Sequence, residues 1–436
     1  MQFFTPATTN KKDETSTTNA TGLLMGEVVN NLSKTAIEKI ISKLKAADET
    51  SGYAKVTVKA TWKKGIVTGG ANGKLICYAP PEIQLSDHKL GPSVNSYCPL
   101  ISGGCFSLIM MMDAAQRNYH FETFGTNMTC RANFAAFYNP NIFSQNVTYD
   151  HPWQDGVLLD ILIRGEQTHE EMVELAEYSD EHCPSSEIMK RAFPVLVDKF
   201  DGTPHESIDW DSLPVYYDMD AYNELATKTE VIVDQRADMT WHCQNECVEN
   251  PDSLMTFHFP NDSDSYLTLS HDQPISSGKY ANPVQACFFG GLSSFLHTVA
   301  ARIYAKGYKV ECIDASISAK INKRKVFGIE HDGFVFPEGA SIEVEIVTNA
   351  PNSILETIQR EAENMSPTMM NWENELPLKF EVLRLEPKHR RRPSTAESVQ
   401  SSTSGSIPDE INLAGKRNIF SFLFNKKNNN SVSIRA

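Results

Sequence analysis

Gly91-Pro92-Ser93-Val94-Asn95-Ser96-Tyr97-Cys98-Pro99-Leu100-Ile101-Ser102-Gly103-Gly104-Cys105-Phe106-Ser107-Leu108-Ile109-Met110-Met111-Met112-Asp113 is the stretch on which the fold turns. Turn formers open it, and it then stays almost wholly apolar up to Asp113. A helix apolar on every face either crosses a membrane or is buried on all sides. The apolar run is shorter than the roughly 18 residues a bilayer requires, which selects the buried helix. Cys105, Leu108, Ile109 and Met112 share one face at helical spacing. Proline is tolerated in a first turn, so the helix is expected to begin at Pro99, with Cys105 in its second turn.

Upstream, residues 26–46 read as an amphipathic helix with Val28, Leu32, Ile37, Ile40, Ile41 and Leu44 as its apolar positions. Residues 53–62 alternate with period two, which predicts a strand with Val56, Val58, Ala60 and Trp62 on one side. Asn72-Gly73 between two short apolar runs predicts a hairpin turn. Downstream, 121–137, 157–164 and 193–200 read as strands. Between the last two lies a helix over 168–179, capped by Thr168, with Glu170 and Glu171 at its positive end. The polar segment after Asp201 reads as a linker.

The same order then returns. Strands are expected over 231–242, 266–269, 310–326, 341–347 and 376–383, with helices over 284–301 and 351–363. Gly307-Tyr308 stands 189 positions after Asn118-Tyr119 (307 − 118), and Glu311 stands 189 after Glu122 (311 − 122). This is an internal repeat of long period. The same offset sets Ser294 opposite Cys105. Near the second helix the offset drops to 182 (365 − 183), which sets Met365 opposite Cys183. The chain divides into an N-terminal tail and helix (1–51), a first domain (52–200), a linker (201–230), a second domain (231–385) and a disordered tail (386–436).

A chain of 436 residues with 41% hydrophobic content is long enough for two or three cores. Its net charge of -15 excludes a general nucleic-acid binder and an anionic-membrane binder, both of which need a basic surface. The opening residues lack the basic and apolar regions of a signal peptide, so a cytoplasmic location is expected. The nine cysteines are then expected as free thiols. In the tail, Arg390, Arg391 and Arg392 before Ser394 would suit a basophilic kinase. His242-Cys243 with Cys247 lacks the second ligand pair of a structural zinc site. Gly69 to Lys74 lacks the spacing of a phosphate-binding loop. No metal or cofactor is expected.

Gly91-Pro92 followed by Cys105-Phe106-Ser107, Asn282-Pro283-Val284-Gln285 opening the second apolar helix, Glu181-His182-Cys183-Pro184-Ser185 after a charged helix, and Ala79-Pro80-Pro81-Glu82 upstream together resemble the OsmC/Ohr family (osmotically inducible protein C-like). The resemblance covers most of 52–200 and, more weakly, 231–385. It implies an α+β fold of two tandem OsmC-like domains forming an intramolecular pseudo-dimer, with antiparallel sheets around two central buried helices.

The resemblance also implies a function: a peroxiredoxin-like thiol peroxidase that reduces organic hydroperoxides with a cysteine pair, in oxidative-stress defence. By position Cys105 would be the peroxidatic residue and Cys183 the resolving one, with a dithiol as external reductant. Ser294 and Met365 cannot do this chemistry, so one site per chain is expected. The activating arginine and glutamate of the family fall near Thr68 and on Ser96, and the latter is Gln285 in the second repeat. An unactivated thiol of pKa near 8.5 is only about 7% thiolate at pH 7.4. Lys63, Lys64 or Lys74 would be substitute cations. The alternative is a catalytically degenerate OsmC-like protein that binds an apolar ligand or serves regulation. Cys77, Cys98, Cys130, Cys287 and Cys312 are expected to be packing residues.

Overall fold

The computed structural model describes residues 26–70, 75–85, 91–142, 156–243, 254–262, 264–276, 278–373 and 378–385. The Asn72-Gly73 turn, the Cys98 side chain, Cys247, the extreme N-terminal segment and the tail with Ser394 lie outside the described residues.

A small ribbon, β1 (Val28–Val29) and β2 (Leu32–Ser33), precedes α1 (Lys34–Ala46). The helix therefore starts later than its apolar pattern suggests. Asn30 and Asn31 take positive φ in the intervening turn, and Ser33 caps the helix by accepting from the Ala36 N–H. Two matching series follow. The first contains β3 (Tyr53–Lys63), β4 (Ile66–Gly69), β5 (Leu75–Tyr78), α2 (Val94–Gln116), β6 (Phe121–Asn133), α3 (Ala135–Tyr138), β7 (Val157–Gly165), α4 (His169–His182), α5 (Pro184–Lys190) and β8 (Val195–Thr203). After α6 (Met219–Leu225) the second contains β9 (Ile232–Trp241), β10 (Met255–Phe259), β11 (Ser265–Leu269), α7 (Pro283–Ala305), β12 (Val310–Asn322), α8 (Lys323–Val326), β13 (Ala340–Thr348), α9 (Asn352–Met365), α10 (Pro367–Glu373) and β14 (Leu378–Leu385).

The counterparts agree closely in length. Helices α2 and α7 both have 23 residues, β6 and β12 both 13, and α4 and α9 both 14. Their strands are exchanged. One six-stranded sheet has the order β11-β10-β9-β6-β7-β14 and the other β5-β4-β3-β12-β13-β8. Each takes four strands from one series and two from the other. The register repeats as well: Phe124 pairs with Trp241, and Ile313 with Trp62.

The sheets are mixed rather than antiparallel. β14 runs parallel to β7, and β8 parallel to β13. Each parallel edge strand comes from the other series: β8 follows β7 through α4–α5 but lies beside β13, and β14 follows β13 through α9–α10 but lies beside β7. Periodicity alone carries no strand direction.

Between the sheets α2 and α7 pack against each other. Both are long and apolar enough to cross a membrane, but both are buried inside the protein. Helix α2 begins at Val94, earlier than Pro99, with Ser93 before it donating its N–H to Asp262. Helix α7 begins with a capping box: Asn282 accepts from the Gln285 N–H, and Gln285 accepts from the Asn282 N–H.

The segment between the two series has its own packing. Residues 201–203 finish β8, and α6 follows. Tyr217 and Tyr222 are buried. The Trp62 indole N–H donates to the Tyr217 oxygen at 2.7 Å, and that hydroxyl lies 2.7 Å from His297 Nδ1. Burial pushes His297 down to about 3.

This lowered pKa sets an acid limit on stability. The unfolded chain protonates His297 near its ordinary value, while the folded chain refuses the proton until about pH 3. Its share of the stability is complete above roughly pH 6.5 and declines by about 1.4 kcal/mol per unit as pH falls toward the folded value. Urea unfolding of His297→Leu is expected to lose about one proton of this dependence relative to the parent. An unchanged acid slope would contradict it.

Candidate functional site

Cys105 lies eleven residues into α2 (105 − 94), roughly three turns from its start. The dipole effect fades within the first turn, so the helix end does not reach this sulfur. Cys105 is instead completely buried against Cys183. Cys183 sits at the junction of α4 and α5, where Pro184 starts the second helix. The helix ends there because proline has no N–H to continue it. The two sulfurs are hydrogen-bonded to each other, and both cysteines are free thiols. The fold thus brings the two sequence candidates together from positions 78 residues apart (183 − 105).

Ser185 completes the group. Its hydroxyl lies 3.2 Å from Cys183 Sγ and donates to the Ser102 carbonyl at 3.0 Å. A hydroxyl has one proton, so Ser185 can send it to the carbonyl or to the sulfur. Burial pushes the Cys105 thiol well up, and the adjacent Cys183 sulfur adds to this. Burial pushes Cys183 up too. The Cys105 S–H, the Ser185 hydroxyl and the Ser186 backbone N–H together outweigh that and hold Cys183 below its ordinary value. When the pair loses a proton, the charge is therefore favoured on Cys183, with Cys105 as its donor.

Cys105 lines a narrow apolar cavity of about 30 Å³. Leu108, Ile109, Met112 and Pro184 contribute from the first series; Asn282, Val284, Ile321 and Phe327 contribute from the second. Lys323 is the one lysine or arginine among the described residues of this wall. Burial pushes its ammonium down, and it makes no ion pair with another described residue. Residue order did not single it out. The available signal was weak: with an offset of 188 (323 − 135), Lys323 replaces Ala135 of the first series.

The other proposed activators lie elsewhere. Thr68 is exposed on β4, and Ser96 bonds to Asp262. Gln285 is used in the α7 cap. Lys63 pairs with Glu311 at 2.9 Å, and Lys74 lies outside the described residues. Lys64 takes positive φ in the β3–β4 turn. His242 bonds to Thr256, and Cys243 is pushed up by burial to about 12.

The second series carries an oxygen copy of the sulfur pair. Ser294 is bonded to Ser366 at 3.0 Å. The 189 offset for Ser294 is thus matched in space. Met365 is not the partner: α9 and α10 follow α4 and α5 at an offset of 183 (352 − 169 and 367 − 184), which sets Ser366 opposite Cys183. The deletion between the series is thus six residues (189 − 183), not the seven (189 − 182) that set Met365 opposite Cys183. The surroundings differ as well. Leu108 and Val326 line the cavity, and their counterparts are His297 and Tyr138. Tyr217 is bonded to His297, and Tyr222 packs edge-on against Tyr138 with centroids 5.6 Å apart. The segment read as a linker thus fills the second site.

A scan against protein-family models finds no match, and a search of curated proteins finds none that is significant.

Removing the Ser185 hydroxyl takes one donor from the Cys183 sulfur. Ser185→Ala is expected to raise the pH at which thiolate ultraviolet absorbance develops. If the titration does not move, Ser185 does not hold the charge.

Proposed function

We propose that this chain is a thiol-dependent reductase of apolar organic hydroperoxides, an OsmC/Ohr-like pseudo-dimer within one polypeptide, acting in cytoplasmic oxidative-stress defence. The observation that carries this reading is the hydrogen-bonded Cys105–Cys183 pair, with Cys105 on the wall of an apolar cavity built from both series. The finer domain reading, two OsmC-like units over 52–200 and 231–385, belongs to the same proposal.

The chemistry follows from the placement. Cys105 lines the cavity, so its sulfur meets the substrate. Once the pair has ionised, the Cys183 thiolate takes the proton from Cys105 as Cys105 attacks the terminal peroxide oxygen. The O–O bond breaks, the alkoxide leaves and is protonated to the alcohol, and Cys105 becomes a sulfenic acid. Cys183 then attacks the Cys105 sulfur, the S–O bond breaks and water leaves. Two thiols and one hydroperoxide have become one disulfide, one alcohol and one water. A dithiol reductant restores both thiols by exchange. Lys323 offsets the charge that develops on the leaving alkoxide.

A second reading is an apolar-ligand binding or regulatory protein. The high pKa of buried Cys105 favours it, because a protonated thiol is a poor nucleophile.

Purified protein is expected to consume an organic hydroperoxide in the presence of a dithiol, and Cys105→Ser to abolish turnover. Equal rates in variant and parent would exclude the enzymatic reading. If neither turns over while both bind an apolar fluorophore, the binding reading stands instead. Lys323→Met is expected to lower kcat/KM about tenfold, the scale of one modest electrostatic contribution near 1.4 kcal/mol. Retention of full kcat/KM would remove Lys323 from the mechanism.

A further inference from the structure

We propose that Glu181, His182 and His331 form a binding site for a divalent transition-metal ion of the zinc(II) or cobalt(II) class, joining the end of α4 to the loop after α8. The site is independent of the peroxide chemistry and uses neither sulfur.

His182 is the last residue of α4 and is fully buried. Its Nδ1 lies 2.8 Å from the Lys325 carbonyl oxygen. A carbonyl only accepts, so Nδ1 carries the proton and Nε2 presents a lone pair. That Nε2 is buried and has no hydrogen-bond partner among the described residues. Such an orphaned atom is uncommon, and a metal ion is a partner that would satisfy its lone pair. It faces Glu181 Oε1 at 3.8 Å, and the same oxygen lies 3.5 Å from His331 Nδ1. One ligand atom from each of the three residues lies within 4.8 Å of the other two. Metal bonds of about 2.0–2.1 Å in a tetrahedral site set donors roughly 3.4 Å apart; both Glu181 distances are within a few tenths of an ångström of that, and the two imidazole nitrogens, within 4.8 Å of each other, would have to close by at most about 1.4 Å. The Lys325 carbonyl supplies the outer partner that metal-bound histidines usually have. The Tyr178 ring packs on His182 at 4.4 Å and closes one side.

Two imidazoles and one carboxylate suit zinc, cobalt or nickel rather than magnesium or calcium, which prefer all-oxygen sites. Three protein ligands leave a fourth position for water. Cys183 follows His182 in the chain, but its sulfur is turned to Cys105 and Ser185. Lys325 opposes the ion: its ammonium lies 3.3 Å from Glu181 Oε1 and also donates to the His331 carbonyl. The two cations compete for one carboxylate, so Lys325 limits the affinity. Glu181 and His331 are exposed, which gives an ion access from solvent. Glu181 and His182 belong to the first series and His331 to the second, so the bound ion would staple the two together.

The test titrates tag-free full-length protein with cobalt(II) alone, with zinc(II) added in competition. A visible d–d spectrum without a sulfur-to-cobalt charge-transfer band is expected, and zinc(II) is expected to bleach it. His331 is exposed, so His331→Ala should fold as the parent does while losing at least tenfold in affinity. Zinc(II) should raise the Tm of the parent and leave that of His331→Ala in place. Folded Lys325→Met should bind more tightly, because the competing cation is gone. Absence of the cobalt spectrum, unchanged affinity in His331→Ala, no tightening in folded Lys325→Met, or a charge-transfer band that places the ion on a cysteine would each overturn the proposal.

Discussion

Two 23-residue helices, apolar on every face, have to be covered from all sides. Neither series of strands surrounds its own helix. The solution is exchange: β3–β5 and β8 join β12 and β13, while β9–β11 and β14 join β6 and β7. The central helices then lie against each other between two six-stranded sheets. Burial of apolar surface drives this arrangement, and hydrogen-bonded registers repeated across the two sheets hold it in one alignment. Separating the series would leave both helices and both central strand edges uncovered.

That packing also decides where reactive groups meet. Cys105 comes from the middle of a core helix, and Cys183 from the proline-terminated end of another. Burial penalises charge on both sulfurs. The balance is tipped at Cys183 by donors that the α4–α5 junction gathers: the Cys105 thiol, the Ser185 hydroxyl and the Ser186 N–H. The sulfur that lines the cavity and the sulfur on which charge is favoured are therefore different atoms. In the proposed reaction this makes Cys183 first a proton acceptor and then the resolving nucleophile.

The repeated architecture is symmetric, and its chemistry is not. The Ser294–Ser366 pair reproduces the geometry of the sulfur pair with atoms that do not undergo thiol oxidation. Tyr217 and Tyr222, supplied by the segment between the series, pack on the counterparts of two cavity-lining residues. One position is open and lined by sulfur, while the other is filled and stabilises the core through the Trp62–Tyr217–His297 chain. A buried network of this kind is favourable only when its members are satisfied, and it ties the intervening segment to the fold.

Residue order alone made several features legible. Period-two alternation located β3 through Val56, Val58, Ala60 and Trp62, all of them buried. The Thr168 cap located α4, and the apolar runs located α2 and α7. The spacing of Asn118-Tyr119 and Gly307-Tyr308 revealed the repeat and set Ser294 opposite Cys105. These are local signals, written in the period and chemistry of neighbouring residues. Other features needed contacts between distant segments. Periodicity does not encode direction, so the parallel edge strands were invisible. A charge at Lys323 reads as solvated surface until the chain places it on the cavity wall. Tyr217 and Tyr222 read as linker residues until a core site receives them. The orphaned Nε2 of His182 exists only because folding buries the ring and turns its other nitrogen to the Lys325 carbonyl. Local pattern located the buried faces of the regular strands and helices; only tertiary packing decided what each buried polar atom meets, because its partner comes from elsewhere in the chain.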